Sequence, residues 1–115
     1  MFVSHRDEIE RRRLSSSALN GVTKQVLIGP DQGWEDYVMR MFTLDVGGYT
    51  PKHCHAWSHV IYSVEGDGML IIDGKECQVR AGSTAYVDGG LEHQVLNTGD
   101  TSFVFICIVP REGDV

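Results

Sequence analysis

The sequence lacks any long apolar run and any helical periodicity. No stretch approaches the roughly 18 apolar residues that a membrane-spanning helix needs, and residues 1–10 lack the apolar core of a signal peptide. We therefore expect a cytoplasmic protein. No segment repeats its apolar residues at a period of 3.6, which argues against a helical fold. The length of 115 residues suits a single domain.

Cysteine and positive charge are also scarce. The three cysteines, Cys54, Cys77 and Cys107, are an odd number without a CxxC pair, so they predict reduced thiols rather than disulfides or a zinc ribbon. The net charge of -6 disfavours binding to nucleic acid or to an anionic membrane. The basic run at residues 11–13 follows three acidic residues, which favours a solvated mixed-charge segment.

Glycine, by contrast, is abundant and separates short apolar segments. Thirteen glycines predict many tight turns, and Asp73-Gly74 is a strong signal for a tight hairpin. Between the turns lie eight predicted strands, which are rich in β-branched and aromatic residues, at 23–28, 37–45, 59–64, 69–72, 76–80, 84–87, 93–96 and 103–109. This pattern predicts an all-β sandwich or barrel.

The predicted barrel leaves a segment at each end of the chain. We place an N-terminal arm at residues 1–21, the barrel at residues 22–110 and a C-terminal tail at residues 111–115. Within the arm, residues 7–14 are assigned one short helical turn.

Four of the five histidines fall in two short windows, and His5 lies apart in the arm. Residues i and i+2 of a strand share a face, so His53 and His55 can direct ring nitrogens at one point. His59 follows after a short bend, and the alternation around His93 places that histidine on an apolar, inward face. A single histidine is more often a surface residue or a satisfied core residue. Several interior imidazoles would repel each other when protonated, so the four together predict one divalent metal site.

The same windows match a known pattern. The spacing of the first cupin motif is met by Gly47, His53, His55, His59 and Gly66. The second motif is met, with one change, by Gly82, Asp88, Gly90, His93 and Asn97. The chain therefore resembles the cupin superfamily, which implies a double-stranded β-helix, or jelly-roll, barrel of antiparallel sheets.

Two residues depart from the cupin pattern. His59 stands where most cupins have a glutamate ligand, and Asp88 stands where the second motif has proline. The first change makes the chain most similar to small single-domain cupins that bind manganese through four histidines. That resemblance favours Mn²⁺, with Fe²⁺ second, whereas imidazole ligands alone would favour Fe, Ni, Cu or Zn, because manganese usually takes oxygen ligands. An octahedral ion with four protein ligands keeps two open positions.

Four further residues are candidates for the surroundings of the metal. Arg40 interrupts an apolar run, so it either faces solvent or a salt bridge, or lines the pocket and orients an anionic substrate. Cys107 either fills the core or lies beside the metal, and in the second case Phe105 shares its face. Trp57 lies between two candidate ligands and either walls the pocket entrance or packs at a subunit contact.

Such a site predicts a metal-dependent oxidoreductase of dioxygenase or oxygenase type that acts on a small organic substrate. The alternatives are a non-enzymatic cupin that binds a small molecule, and a metal-assisted isomerase or lyase. If His59 faces the metal, then Val60, Tyr62 and Val64 form an apolar outer row. Such a row is typical of a partner surface, and we predict a homodimer.

Overall fold

The computed structural model describes residues 1–114, and most of the regular structure is β-strand. The strands are β1 (Arg12–Arg13), β2 (Asn20–Ile28), β3 (Tyr37–Tyr49), β4 (His59–Glu65), β5 (Asp67–Ile72), β6 (Lys75–Arg80), β7 (Thr84–Val87), β8 (His93–Asn97) and β9 (Phe103–Pro110). Short 3₁₀ helices occur at Arg6–Glu8, Pro30–Gln32 and Arg111–Gly113. Within residues 1–114, no helix is long and apolar enough to cross a membrane.

The strands pair in the order β6-β5-β8-β3-β9-β4-β7, with β2 on β3 and β1 on β2. Every pairing is antiparallel. The long strand β3 serves both walls, because residues 37–44 pair with β9 while Tyr49 pairs with Leu96 of β8. The result is a nearly closed antiparallel barrel, so the predicted all-β jelly-roll class is confirmed.

Local turn chemistry explains the β5–β6 hairpin. Ile72 pairs with Lys75, which leaves Asp73 and Gly74 as the two turn residues. Both have positive φ angles, 51° and 78°. Two successive positive φ values define the tight hairpin turn that Asp-Gly favours, as the sequence predicts.

The core lies between the two walls of the barrel. Side chains on β4 alternate as predicted through Ser63, with His59, Ile61 and Ser63 buried and Val60 and Tyr62 exposed. Val64, predicted to face outward, is half-buried, because the pairing with β9 shifts register between Ser63 and Glu65. The buried cluster consists of Val22, Leu44, Ile61, Leu70, Val87, Val95, Phe103, Phe105, Cys107 and Val109. These residues come from both walls, so their burial holds the walls together.

Asn97 of the second motif has a structural role at the end of β8. Its buried amide nitrogen donates to the carbonyl oxygens of Leu44, Asp45 and Thr101. Its Oδ1 accepts from the backbone N–H of Gly99. A buried amide satisfied in this way fastens the β8–β9 loop to β3.

The N-terminal arm differs from the prediction. The helical turn assigned to residues 7–14 is a single 3₁₀ turn at Arg6–Glu8, and residues 12–13 form strand β1 on β2. The buried side chain of Gln25 donates to the carbonyl oxygens of Arg6 and Ile9. Contacts with β2 therefore decide the conformation of the arm. Strand β2 begins at Asn20, two residues before the predicted start of the barrel.

Candidate metal centre

A cavity of about 230 Å³ lies inside the barrel. All four motif histidines line it, and much of the remaining wall is apolar, with contributions from Phe42, Ile61, Val95 and Phe105. A mostly apolar cavity in which a few polar groups converge is typical of a small-molecule site.

Two of the histidines are the first residues of strands. His59 begins β4 and His93 begins β8, and we name them the strand histidines. Both are buried, with 7% and 8% of their surface exposed, and their ring centroids are 4.5 Å apart. Their position on the inward side of paired strands brings the two rings together.

Hydrogen bonds on Nδ1 orient both strand histidines. His93 Nδ1 lies 3.1 Å from the carbonyl oxygen of Leu91, so Nδ1 carries the proton and donates it. His59 Nδ1 lies 3.2 Å from Cys107 Sγ. For Nε2 of His59 to bind a cation, its Nδ1–H must donate to this sulfur. A hydrogen bond on Nδ1 fixes the ring orientation and leaves Nε2 free to bind a metal, as is usual for metal-binding histidines.

The other two histidines lie in residues 50–58, the segment between β3 and β4, and we name them the loop histidines. His53 forms an isolated β-bridge with His93, with backbone N···O distances of 2.9 and 2.8 Å. The ring of His55 stacks on Trp57 at a centroid distance of 4.7 Å. His53 Nδ1 lies 3.0 Å from His55 Nε2. Both loop histidines are half-buried.

The structure brings three histidines together most closely. One ring nitrogen from each of His55, His59 and His93 lies within 4.8 Å of the others. His53 lies outside this group of three, although its ring is adjacent to that of His55 and 6.2 Å from that of His93 between centroids. The predicted convergence is therefore shown for three histidines, and the fourth is their neighbour.

Burial is the largest cause of the lowered pKa values of His53, His55 and His59. The pKa of His59 falls from 6.5 to about 3, because burial penalises the charged ring and because His93 and Arg40 add positive charge nearby. The pKa values of His53 and His55 are also lowered, with burial again the largest cause. These imidazoles are therefore neutral at neutral pH, which is the form that binds metals.

The donor set fits a divalent metal ion. Nε2 of His59 is buried and has no hydrogen-bond partner within residues 1–114. An unpaired buried nitrogen costs about 1 to 3 kcal/mol, and a bound cation removes that cost. Imidazole nitrogens that share one ion at about 2.1 Å lie roughly 3 to 4 Å apart. The ring nitrogens of His55, His59 and His93, one from each, lie within 4.8 Å of one another, which is close to that range.

Arg40 and Cys107 lie beside His59. Arg40 Nη2 donates to Cys107 Sγ at 3.2 Å, and the same sulfur contacts His59. The Arg40 side chain is buried and lines the cavity rather than facing solvent. Burial raises the pKa of the Cys107 thiol, although the charge of Arg40 and its hydrogen bond oppose this. Cys107 is thus both a core residue and a contact of a candidate ligand.

The two aromatic candidates have different positions. Phe105 lines the cavity and stacks on Phe42, with ring centroids 5.3 Å apart. Trp57 stacks on His55 and packs against Gly113. A Cβ atom at position 113 would lie only 2.7 Å from Trp57 Nε1, so the close packing requires glycine there. Trp57 therefore supports a candidate ligand from outside the cavity.

Sequence reasoning did not identify Lys24 and Asp114. Lys24 lines the cavity, and its Nζ lies 2.7 Å from Asp114 Oδ1. The position of Lys24 on β2, two residues after the core residue Val22, is a signal that it faces inward. Asp114 has no such local signal, because it follows the turn at Arg111–Gly113 and meets Lys24 only through the tertiary fold.

Comparison with known sequences supports the cupin resemblance. A family model described as a cupin domain matches residues 40–109. The oxalate-binding protein of Thermotoga maritima is 30% identical over 67 residues, which cover 57% of this chain and 55% of that protein. An uncharacterized protein of Methanocaldococcus jannaschii is 32% identical over 63 residues, covering 54% of this chain and 50% of that protein. The chain thus spans about half the length of the curated relatives it matches.

Solved structures with the same fold have diverse names. The polyketide cyclase RemF from Streptomyces resistomycificus superposes with a TM-score of 0.88 at 25% identity, covering 96% of this chain and 79% of that one. A predicted oxalate decarboxylase from Thermotoga maritima gives 0.86 at 24% identity, covering 95% and 98%. A sugar phosphate isomerase from Silicibacter pomeroyi gives 0.79 at 24% identity, covering 91% and 73%. Since the cupin-domain match covers more than half of the chain and includes all four motif histidines, the chain belongs to the cupin family.

Proposed function

We propose that this cupin is a metal-dependent oxidoreductase, of oxygenase or dioxygenase type, that acts on a small organic substrate at its histidine centre. The observation that carries the proposal is the buried, unpartnered Nε2 of His59. It lies with His55 and His93 in the wall of a largely apolar cavity of about 230 Å³. A cavity of this size admits only a small molecule.

We infer that His53 supplies a fourth ligand. Its Nδ1 is 3.0 Å from His55 Nε2, which is close to the separation of two nitrogens at right angles on one ion. Its backbone bridge to His93 holds it at the edge of the group of three. Four histidines would hold an ion that prefers six ligands and would leave room on it for substrate and oxidant.

Mn²⁺ is the proposed ion, with Fe²⁺ second, because geometry and metal availability decide occupancy more than affinity does. When bound, such an ion supplies Lewis acidity and redox chemistry toward dioxygen or peroxide. Four neutral imidazoles do not compensate its charge, so the centre attracts an anionic oxygen of the substrate.

The protein's own residues position and protect the reacting groups. Cys107 holds the ring of His59, and Trp57 holds the ring of His55. Arg40 places a positive charge on the cavity wall, where it attracts an anionic substrate. The stacked rings of Phe42 and Phe105 keep water from one side of the cavity.

The names of the relatives favour two alternatives. The oxalate-binding protein supports a non-enzymatic role in which the centre retains a small organic anion. The cyclase and the sugar phosphate isomerase support metal-assisted isomerase or lyase chemistry without an oxidant. Oxygen dependence separates these functions, because turnover under anaerobic conditions supports the isomerase or lyase, and tight retention without turnover supports the binding protein.

The test is oxygen and peroxide consumption by the manganese-loaded and iron-loaded protein with a panel of phenolic, enolic and alkene-bearing compounds. We expect substrate-dependent consumption that His59→Ala abolishes. The matched control is His5→Ala, which removes an exposed histidine of the arm. Consumption of neither oxidant by either loaded form would contradict the proposal.

We also propose that the protein is a homodimer. The outer face of the β7-β4-β9 sheet carries the exposed side chains of Val60, Tyr62 and Tyr86. On the neighbouring strand β9, Ile108 is the register partner of Val60 and Ile106 is the register partner of Tyr62. A contiguous apolar face of this kind is typical of a protein–protein contact. Light scattering should give twice the mass of the chain for the natural sequence and for Val46→Glu, a control outside this face, and a monomer for Tyr62→Glu. A monomeric natural protein would refute the dimer.

A further inference from the structure

Two buried cations form part of the cavity wall beyond Cys107. Lys24 is 4% exposed and Arg40 is 6% exposed, and both line the cavity. Lys24 lies opposite Phe42 in the β2–β3 register, and Arg40 precedes Phe42 by two residues, so the three side chains share the inward face. Buried cations of this kind require compensation by anionic groups.

The compensation provided by the chain is incomplete within residues 1–114. A single carboxylate serves both cations: Asp114 Oδ1 lies 2.7 Å from Lys24 Nζ and 3.7 Å from Arg40 Nη1. The second distance is too long for a hydrogen bond. Arg40 Nη2 donates to Cys107 Sγ, and Arg40 Nε is buried without a hydrogen-bond partner among the described residues. With one carboxylate for two cations, the pair keeps a net positive charge that attracts an anion.

Asp114 reaches the cations from the surface of the molecule. It follows the 3₁₀ turn at Arg111–Gly113, and its side chain is 23% exposed while that of Lys24 is 5% exposed. Gly113 is buried against Trp57 and lines the cavity. The Asp114 carboxylate is thus held by a short surface turn in front of two deeply buried cations.

The cation pair and the histidines share one cavity. Arg40 contacts Cys107, and Cys107 contacts His59, each at 3.2 Å. We propose that Lys24 and Arg40 form an anion subsite for the carboxylate of a small organic acid, and that Asp114 occupies this subsite as an internal competitor. The inference rests on the proposed function in one respect, namely that the acid bound there is the substrate of the histidine centre.

The test compares succinate binding to the natural chain, Asp114→Asn and Glu112→Gln by calorimetry, with metal removed by chelation and with Mn²⁺ restored. Asp114→Asn should bind succinate at least about tenfold more tightly, because the competing carboxylate is lost. Glu112→Gln removes the same charge from an exposed position on the same turn, so its affinity should stay within about twofold of the natural chain's. Adding Lys24→Met to Asp114→Asn should abolish the gain.

Several results would overturn the subsite. Equal tightening by Glu112→Gln would show a general charge effect, and a gain that survives Lys24→Met would place the anion elsewhere. Tightening for inorganic phosphate but not for succinate would contradict a carboxylate site. Thermal melting of each variant checks that it is folded. Because the gain is measured in metal-free protein, failure to bind both Mn²⁺ and Fe²⁺ would refute the proposed function and leave the subsite standing.

Discussion

The strand histidines and the loop histidines line the same cavity but are held in different ways. His59 and His93 are buried, begin strands and have Nδ1 fixed by a hydrogen-bond contact. His53 and His55 are half-buried, and their rings contact each other and Trp57. One half of the centre is thus preorganised by the sheet, whereas the other half depends on a nine-residue connection. We expect the strand histidines to dominate metal affinity.

The largest effect is expected for the strand histidines. His59→Ala or His93→Ala should weaken Mn²⁺ binding by more than about 100-fold, because each removes a ligand whose orientation is already fixed. Metal titration followed by elemental analysis of the desalted protein measures this loss. His5→Ala, a histidine outside the cavity, should bind metal normally. Full retention of metal by His59→Ala would place the site elsewhere.

A smaller effect is expected for the outlying loop histidine. His53→Ala should weaken Mn²⁺ binding by about tenfold, because its backbone bridge to His93 persists and three ligands remain. The same titration applies. A loss equal to that of His59→Ala would erase the difference between the two pairs, and no loss at all would remove His53 from the ligand set.

The support of His59 provides a further comparison. Cys107→Ala should weaken metal binding by up to about tenfold through loss of the contact with Nδ1, and Cys107→Ser should recover part of it, because a hydroxyl can accept the same hydrogen bond. Cys77→Ser on β6 is the matched control. If Cys107→Ser and Cys107→Ala bind metal equally, the sulfur only fills space.

Low pH should lower the free energy of unfolding through His59, one of the strand histidines. The pKa of His59 is lowered from 6.5 to about 3 in the folded chain, so below pH 6.5 the unfolded chain binds the extra proton. The contribution to stability is complete above pH 6.5 and is lost as the pH falls toward 3. Urea unfolding of the metal-free protein at pH 7.5 and 4.5 measures this loss. His59→Gln should reduce the difference more than His5→Gln; equal differences would exclude His59 as the cause.

Much of the fold follows from local patterns. Asp73-Gly74 predicts its hairpin because few dipeptides accept two positive φ angles, and the alternation on β4 predicts which side of that strand is buried. The helical turn predicted for residues 7–14 was wrong, because pairing of β1 with β2 outweighs the local helix preference. Local sequence therefore predicts strands well and tertiary attachments poorly.

The candidate site likewise contains residues that local sequence predicts and residues that only the tertiary fold brings together. The spacing of His53, His55 and His59 is local, and the cupin motifs add His93. The inward side of β9 was not readable, because Phe103–Pro110 is apolar on both faces, so the position of Cys107 needed the structure. The contact of Lys24 with Asp114 joins strand β2 to the turn that follows β9, and no periodicity predicts such a pair.

The contacts of Trp57 give the molecule a built-in optical reporter. Its indole stacks on His55 and also packs against Gly113 of the C-terminal turn. The chain has one other tryptophan, Trp34, which is 37% exposed and packs on Tyr37 far from the histidines in sequence. Emission from Trp57 should therefore change both when His55 coordinates an ion and when an anion displaces Asp114, and a Trp34→Phe background isolates that signal.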